Sequence, residues 1–171
     1  MKLGYCYGSS MKKILIIVLS TFLLSCGFQL RGTESASIPF ETIYISASDG
    51  QAIIRELKYS IQSSGKTLVL DKPLDAEATL HIISAKYTKH IWSISGSGRV
   101  REFQLRYRLS YRLTDSKGVE LVPTSVVNLS RILPYADAQV LAKQAEEKML
   151  AREMYRDTAQ QIIRRLSKLQ Y

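Results

Sequence analysis

The chain lacks the short motifs that mark common catalytic and metal sites. Its 171 residues contain no GxSxG, HExxH, P-loop or CxxC pattern and only two histidines. His81 and His90 lie in one predicted strand, nine positions apart, so regular alternation puts them on opposite faces. We therefore expect no metal site shared by the two histidines, and these patterns give no argument for catalysis.

Cysteine is scarce, and the apolar run near the start is too short to cross a membrane. The two cysteines are Cys6 and Cys26. The apolar run Ile14–Leu24 falls well short of the ~20 residues that a membrane-spanning helix needs. It follows a basic start and leads to a small residue before Cys26, which is the order of a secretory signal peptide.

The residues at the predicted cleavage point, Leu23-Leu24-Ser25-Cys26, resemble a bacterial lipobox. The resemblance implies cleavage before Cys26, a diacylglycerol on its thiol and an acyl chain on its new amino group. Several acyl chains hold a protein firmly at a membrane, whereas one binds only marginally. Gly27 stands where aspartate tends to retain such proteins at the inner membrane, so we expect an anchor in the inner leaflet of the outer membrane. Cleavage and acylation leave no free thiol for a disulfide, a metal or nucleophilic catalysis.

The domain organisation follows from these signals. Residues 1–25 are the predicted signal peptide, with Met11 as the predicted natural start. Residues 26–40 are the lipidated N-terminus and tether, and residues 41–171 form a single α+β domain. The formal net charge is +9, and the mature part remains basic. A basic exported domain suits an acidic lipid head group, an acidic glycan or an anionic protein face, and we expect no nucleic acid partner.

Hydrophobic periodicity predicts five strands and two helices. The strands are expected near 42–46, 67–70, 78–92, 103–113 and 119–132, and the helices near 49–64 and 137–169. Pro123 in the last strand indicates an edge or a bulge. Antiparallel strands with two helices favour an α+β two-layer sandwich. The long helix carries an apolar stripe, interrupted near Arg152, that consists of Leu141, Ala145, Met149, Ala159, Ile162, Leu166 and Leu169.

Basic side chains alternate along the fourth predicted strand. Arg106, Arg108 and Arg112 share one parity, and apolar or aromatic residues share the other. Guanidinium groups pair bidentately with phosphate and carboxylate. This basic strand face is therefore either a site for an anionic lipid or an acidic partner, or a solvated face of a half-exposed sheet. Lys143, in the first turns of the last helix, has the same two interpretations.

Two blocks near the ends of the mature chain resemble one known family. The first is Cys26-Gly27-Phe28-Gln29-Leu30-Arg31-Gly32. The second comprises Leu141-Ala142-Lys143, Glu153-Met154-Tyr155 and Gln160–Leu166 with the pair Arg164-Arg165. Both blocks and the order of elements between them are similar to the LptE (RlpB) family of outer-membrane lipopolysaccharide-assembly lipoproteins.

The resemblance implies a fold and a role without catalysis. The fold would be two helices packed on one face of a mainly antiparallel four-stranded sheet. The protein would sit on the periplasmic side of the outer membrane, plug the lumen of the LptD β-barrel, assist assembly of that barrel and help deliver lipopolysaccharide to the cell surface. Lys143 matches the family's Leu-Ala-Lys motif and is the implied lipopolysaccharide-binding residue, with Arg99 and Arg101 as less direct candidates.

Two other functions stay open from the residues alone. One is a free outer-membrane lipoprotein that binds an anionic glycan or peptidoglycan through its basic strand face. The other is a lipid-anchored hydrolase whose cleft is not visible in the sequence. Co-purification of a barrel protein would support the plug, and binding to cell wall would support the glycan-binding lipoprotein. A residue essential for turnover would support the hydrolase.

Overall fold

The computed structural model describes residues 38–63, 65–136 and 139–170, and all of them belong to one unit, Ser35–Tyr171. The predicted signal peptide, the lipidation site Cys26 and the first family block lie outside these residues. One strand, one helix, four strands and a final long helix follow in order. They are β1 (Thr42–Ala47), α1 (Gln51–Ser63), β2 (Leu68–Leu70), β3 (Ala78–Ile94), β4 (Val100–Asp115), β5 (Glu120–Pro134) and α2 (Val140–Leu166).

The five strands form one mixed sheet in the order β2-β1-β3-β4-β5. Strands β3, β4 and β5 are antiparallel neighbours, whereas β1 is parallel to both β2 and β3. The expected α+β class with two helices is confirmed, but the expected four-stranded, mainly antiparallel sheet is wrong in detail. Helix α1 connects β1 to β2, and such a crossover returns the chain in the same direction.

The core lies between the helices and one face of the sheet. Alternate residues of β4 are buried there, as the period of two predicts. We call this side of the sheet the helix face and the other side the open face. The buried residues of β4 and of the two helices form one cluster that includes Leu105, Tyr107, Leu109, Tyr111, Leu113, Ile53, Leu57, Ile61, Met154, Ile162 and Leu166.

A bulge in β3 reverses the alternation of its side chains. The register with β4 shifts between Ile82 and Ser84. As a result His81, opposite Arg112, and His90, opposite Gln104, both belong to the open face. The prediction that the histidines lie on opposite faces is therefore wrong. They remain separated by roughly 25 Å of strand, which is too far for one metal ion.

Pro123 lies in β5, the last strand at one edge of the sheet. The register between β4 and β5 also shifts there, because Tyr111 pairs with Ser125 and Leu113 pairs with Val122. Both parts of the prediction for Pro123, an edge and a bulge, are confirmed. Proline has no N–H to donate to a neighbouring strand. It is tolerated here because an edge strand and a bulge are places where the sheet does not need that donor.

The two halves of α2 differ in burial. Its buried residues begin at Met154, whereas Leu141 is 82% exposed and Met149 is 48% exposed. The predicted apolar stripe therefore enters the core only in its second half. In the part of the chain that the structure describes, no helix has the length and apolar character needed to cross a membrane.

Candidate anion-binding sites

The open face of the three long strands carries rows of basic side chains. Arg106, Arg108 and Arg112 are exposed there, on the side of β4 away from the helices. The β3 bulge brings further positions onto the same face, so Lys86 pairs directly with Arg108. On the other side of β4, Asn128 pairs with Arg108 and Ser130 pairs with Arg106.

Lys86 and Arg108 form an unfavourable pair by themselves. Directly opposite residues on antiparallel strands have Cβ atoms about 4.5–5.5 Å apart, and like charges at that separation destabilise the sheet. The next row, Thr88 with Arg106, adds another positive charge about 7 Å along the strands. An anion bound between these rows would relieve the repulsion.

These rows line a cavity of about 520 Å³ on the open face. Four of its lining residues are the basic or imidazole side chains of Lys86, His90, Arg106 and Arg108, and we call the cavity the basic groove. Thr88, Asn128 and Ser130 contribute polar side chains to the same lining, which contains no aspartate or glutamate. The size is within the range of sites that hold small molecules.

A buried amide holds Arg106 in place. Gln104 is only 9% exposed, and its Oε1 accepts a hydrogen bond of 2.5 Å from Arg106 Nε. Gln104 Nε2 in turn donates to Ser130 Oγ at 3.5 Å. The contact uses one edge of the guanidinium, so its two terminal nitrogens remain available for a bidentate anion.

The cations of the basic groove differ from five cations elsewhere in the domain, which have carboxylate partners. Among the residues that the structure describes, no ion pair involves Lys86, Arg106, Arg108 or Arg112. The described ion pairs are Lys58–Asp71, Lys89–Glu147, Arg131–Asp157, Lys143–Glu146 and Arg156–Glu56.

The pKa of His81 also reports the positive character of the open face. Burial lowers this pKa below its usual value, and the neighbouring positive charge of Arg112 lowers it further. Nε2 of His81 lies 3.1 Å from Thr114 Oγ1. Both effects favour the neutral imidazole, so His81 does not add to the charge of this face near neutral pH.

Lys143 lies in a different place, on the helix side. Its Nζ is 2.8 Å from Glu146 Oε2 and its side chain is only 17% exposed. It lines a cavity of about 130 Å³ together with Lys89, Phe103 and Tyr135. Lys89 is itself engaged, with its Nζ 2.6 Å from Glu147 Oε2 and 4.2 Å from the centre of the Phe103 ring. Any anion at Lys143 must therefore compete with carboxylates already in place.

Arg99 and Arg101 lie at the hairpin between β3 and β4, and both are exposed. The N–H of Tyr135 donates to the carbonyl oxygen of Arg101 at 2.8 Å, and Tyr135 also lines the small cavity beside Lys143. The fold thus brings Arg101 and Lys143 to the same end of the sheet. It does not bring them to the basic groove, whose arginines lie on the opposite face.

Sequence reasoning found two of the groove's arginines but missed Lys86, His90 and Gln104 as their partners. The alternation in β4 was visible, but the cross-strand partners depend on a register that the bulge sets. No cluster of three or more His, Cys, Asp or Glu side chains suited to a metal ion is found in residues 38–63, 65–136 and 139–170.

The fold and its surface define a small α+β domain with a basic open face. The model of the LptE family, described as lipopolysaccharide-assembly, matches residues 40–166. The chain therefore belongs to the LptE family.

Relatives and solved structures agree with this assignment. The chain is 28% identical over 142 residues to the LPS-assembly lipoprotein LptE of Pectobacterium atrosepticum, covering 82% of this chain and 76% of that protein. It is 45% identical to a lipoprotein B from Nitrosomonas europaea whose solution structure superposes with a TM-score of 0.71 over 82% of this chain and 90% of the other. The rare lipoprotein B of Shewanella oneidensis, 19% identical with a TM-score of 0.63 over 74% and 93% of the two chains, shares the fold.

Proposed function

We propose that this protein is a lipoprotein anchored to the outer membrane through Cys26 that works in lipopolysaccharide assembly without catalysing a reaction. In this proposal it occupies the lumen of an LptD-type β-barrel, assists assembly of that barrel and helps deliver lipopolysaccharide to the cell surface. The observation that carries the proposal is the family match over residues 40–166. Curated relatives named LPS-assembly lipoprotein LptE support it.

The physical character of the described surface is consistent with this role. The interior of a large membrane barrel is polar, so a plug does not need an extended apolar surface. The open face offers unpaired arginines and a lysine, and the hairpin offers Arg99 and Arg101. Such groups attract the phosphates and carboxylates of a glycolipid.

The first experiment is purification of the lipidated protein from outer membranes in mild detergent, followed by mass spectrometry. The proposal expects a large barrel protein in stoichiometric amount and loss of surface lipopolysaccharide when the protein is depleted. Recovery of the protein alone from intact outer membranes would contradict it.

The lipopolysaccharide-binding candidates need a separate experiment, because Lys143 is paired with Glu146. We predict that replacing Lys143 and Arg99 together with glutamate weakens binding to lipopolysaccharide by about tenfold and reduces its dependence on salt. Glu146→Gln releases Lys143 and is expected to strengthen binding. Lys148→Glu, which changes an exposed lysine of the same helix, is the matched control. Binding that stays constant across these variants and across salt would exclude these residues.

A second candidate function is favoured by the basic groove alone. A free outer-membrane lipoprotein could use the groove to bind an anionic glycan or peptidoglycan. Incubation with purified cell-wall sacculi distinguishes the two, since this alternative expects salt-sensitive sedimentation with the sacculi and no barrel protein in the detergent purification.

A further inference from the structure

We infer that the basic groove is a binding site for phosphate groups carried on a saccharide head group, separate from Lys143 and the hairpin arginines. The inference rests on the proposed function, which supplies a phosphorylated glycolipid as the ligand. Its basis in the structure is the juxtaposition of Lys86, Arg106 and Arg108 in one cavity without a carboxylate in its lining.

The arrangement of charge is the first argument. Lys86 and Arg108 face each other across neighbouring strands, a placement that disfavours the free protein. Several described carboxylates pair with cations elsewhere, such as Glu147 with Lys89 and Asp157 with Arg131. The groove therefore keeps positive charge that is not compensated within the described residues, and a doubly charged phosphate would compensate it.

The geometry of Arg106 is the second argument. Gln104 takes the Nε edge of the guanidinium and is itself tied to Ser130. This contact limits the rotation of a long side chain before any ligand arrives, which lowers the entropy cost of binding. A planar fork held in this way suits the bidentate recognition of phosphate.

The size and the lining of the site suit a saccharide head group, which is the third argument. A cavity of about 520 Å³ has room for a group the size of a phosphorylated sugar. Thr88, Asn128 and Ser130 add hydroxyl and amide groups to the lining, which can hydrogen-bond to sugar hydroxyls as well as to phosphate.

The experiment measures binding to detergent-solubilised, lipidated full-length protein and to its variants. The probes are rough lipopolysaccharide in micelles, the same material after removal of its phosphates, and sodium pyrophosphate as a soluble phosphate. The key variant is Arg106→Gln with Arg108→Gln. Arg112→Gln is the matched control, since Arg112 belongs to the same strand and face but does not line the cavity. Thermal unfolding checks that each variant is folded.

We expect the double variant to bind phosphorylated lipopolysaccharide at least about tenfold more weakly and Arg112→Gln to change binding less than about twofold. Dephosphorylated material should bind the unaltered protein at least as weakly as the phosphorylated form binds the double variant. Arg106→Lys keeps the positive charge but not the planar fork of the guanidinium. We expect it to weaken binding by about half as much as the double variant does, on a logarithmic scale.

Three results would overturn the inference. The first is unchanged lipopolysaccharide binding by the double variant, and the second is an equally large loss of binding in Arg112→Gln. The third is binding by the unaltered protein that stays the same when the phosphates are removed. If pyrophosphate binds in the groove but lipopolysaccharide does not, the groove binds phosphate from a source other than this glycolipid.

Recovery of a barrel protein is measured with the same variants and should not change. Loss of barrel recovery with intact lipopolysaccharide binding would assign the groove to a protein wall, whereas absence of the barrel even with the unaltered protein would count against the proposed function instead.

Discussion

At the scale of single residues, Gly50 shows how one backbone position connects two elements. Its φ is +83°, in the left-handed region that residues with a side chain rarely adopt. Its carbonyl oxygen accepts hydrogen bonds from the N–H groups of Ile53 and Ile54 at the start of α1. A Cβ placed on Gly50 would lie 2.8 Å from the Cβ of Ala85 in β3. The glycine therefore permits close contact between the start of the helix and the sheet.

We predict that Gly50→Ala lowers the free energy of unfolding by about 3 kcal/mol, through left-handed strain together with the clash against Ala85. Gly98→Ala is the matched control, because Gly98 also has a positive φ of +78° but a methyl group added there would meet no atom within 4 Å. We expect it to cost about 1 kcal/mol. Urea unfolding of both variants measures the difference, and equal losses would show that close packing at Gly50 is unimportant.

The two histidines show what a sequence reveals at this scale and what it does not. The alternation of β4 was readable, because Leu105, Tyr107 and Leu109 are apolar and the residues between them are not. The extra residue of the β3 bulge gave no such signal in the sequence. Ile83 is apolar, which is typical of a buried position, yet it is 47% exposed. The local pattern therefore predicted which face carries the arginines. Their cross-strand partners could be identified only from the pairing of the strands in the structure.

At the scale of elements, α2 is a helix of which only one part is held by the core. From Met154 onward its apolar residues are buried against the sheet and α1. Before Met154, its described contacts with β3 are polar, with Glu147 accepting from Tyr87 and pairing with Lys89. The sequence could not reveal this division, because Leu141 and Met149 have the same spacing and apolar character as residues that are buried.

We predict that Met154→Ala lowers the free energy of unfolding by about 2–5 kcal/mol, the usual cost of removing a fully buried side chain of this size. Met149→Ala is the control on the same helix, and with Met149 48% exposed we expect a change within about 0.5 kcal/mol. Chemical unfolding of the two variants makes the comparison. A large loss at Met149 would mean that the first part of α2 also packs tightly.

The parallel placement of β1 is a second feature that periodicity could not supply. The bounds of β1, α1 and β2 were predicted closely, but strand direction depends on long-range pairing. Ile43 pairs with Val69 on one side and with Ala78 on the other. Since β2 has only three residues, its pattern is too short to show how it joins the sheet.

At the scale of the whole domain, the two faces of the sheet differ in how their strand cations are paired. On the helix face, Lys89 and Arg131 are paired with carboxylates, and Tyr107 and Tyr111 are buried. On the open face, arginines and a lysine have no carboxylate partners among the described residues. This division is consistent with a domain that is stabilised on one side and keeps the other for anionic ligands.

A group of three tyrosines joins the sheet to α2 within the helix face. Tyr87 pairs with Tyr107 across β3 and β4, and the Tyr107 ring meets the Tyr155 ring edge-on at 4.9 Å. Burial raises the pKa of all three, and the carboxylate of Glu147 raises that of Tyr87 further. The hydroxyl of Tyr107 is buried and has no hydrogen-bond partner among the described residues.

These raised pKa values predict that the domain loses stability in alkali. A tyrosine whose pKa is higher in the folded state contributes fully below its unfolded pKa of about 10, and the contribution falls as pH rises above that value because the unfolded state releases the proton first. We therefore expect the free energy of unfolding to decrease as the pH rises above about 10, and urea unfolding on both sides of this pH measures it. Tyr107→Phe removes one such group without breaking a described hydrogen bond, so its profile should be flatter. Tyr59→Phe, at a side chain 71% exposed, is the control, and an equal flattening there would show that burial is not the cause.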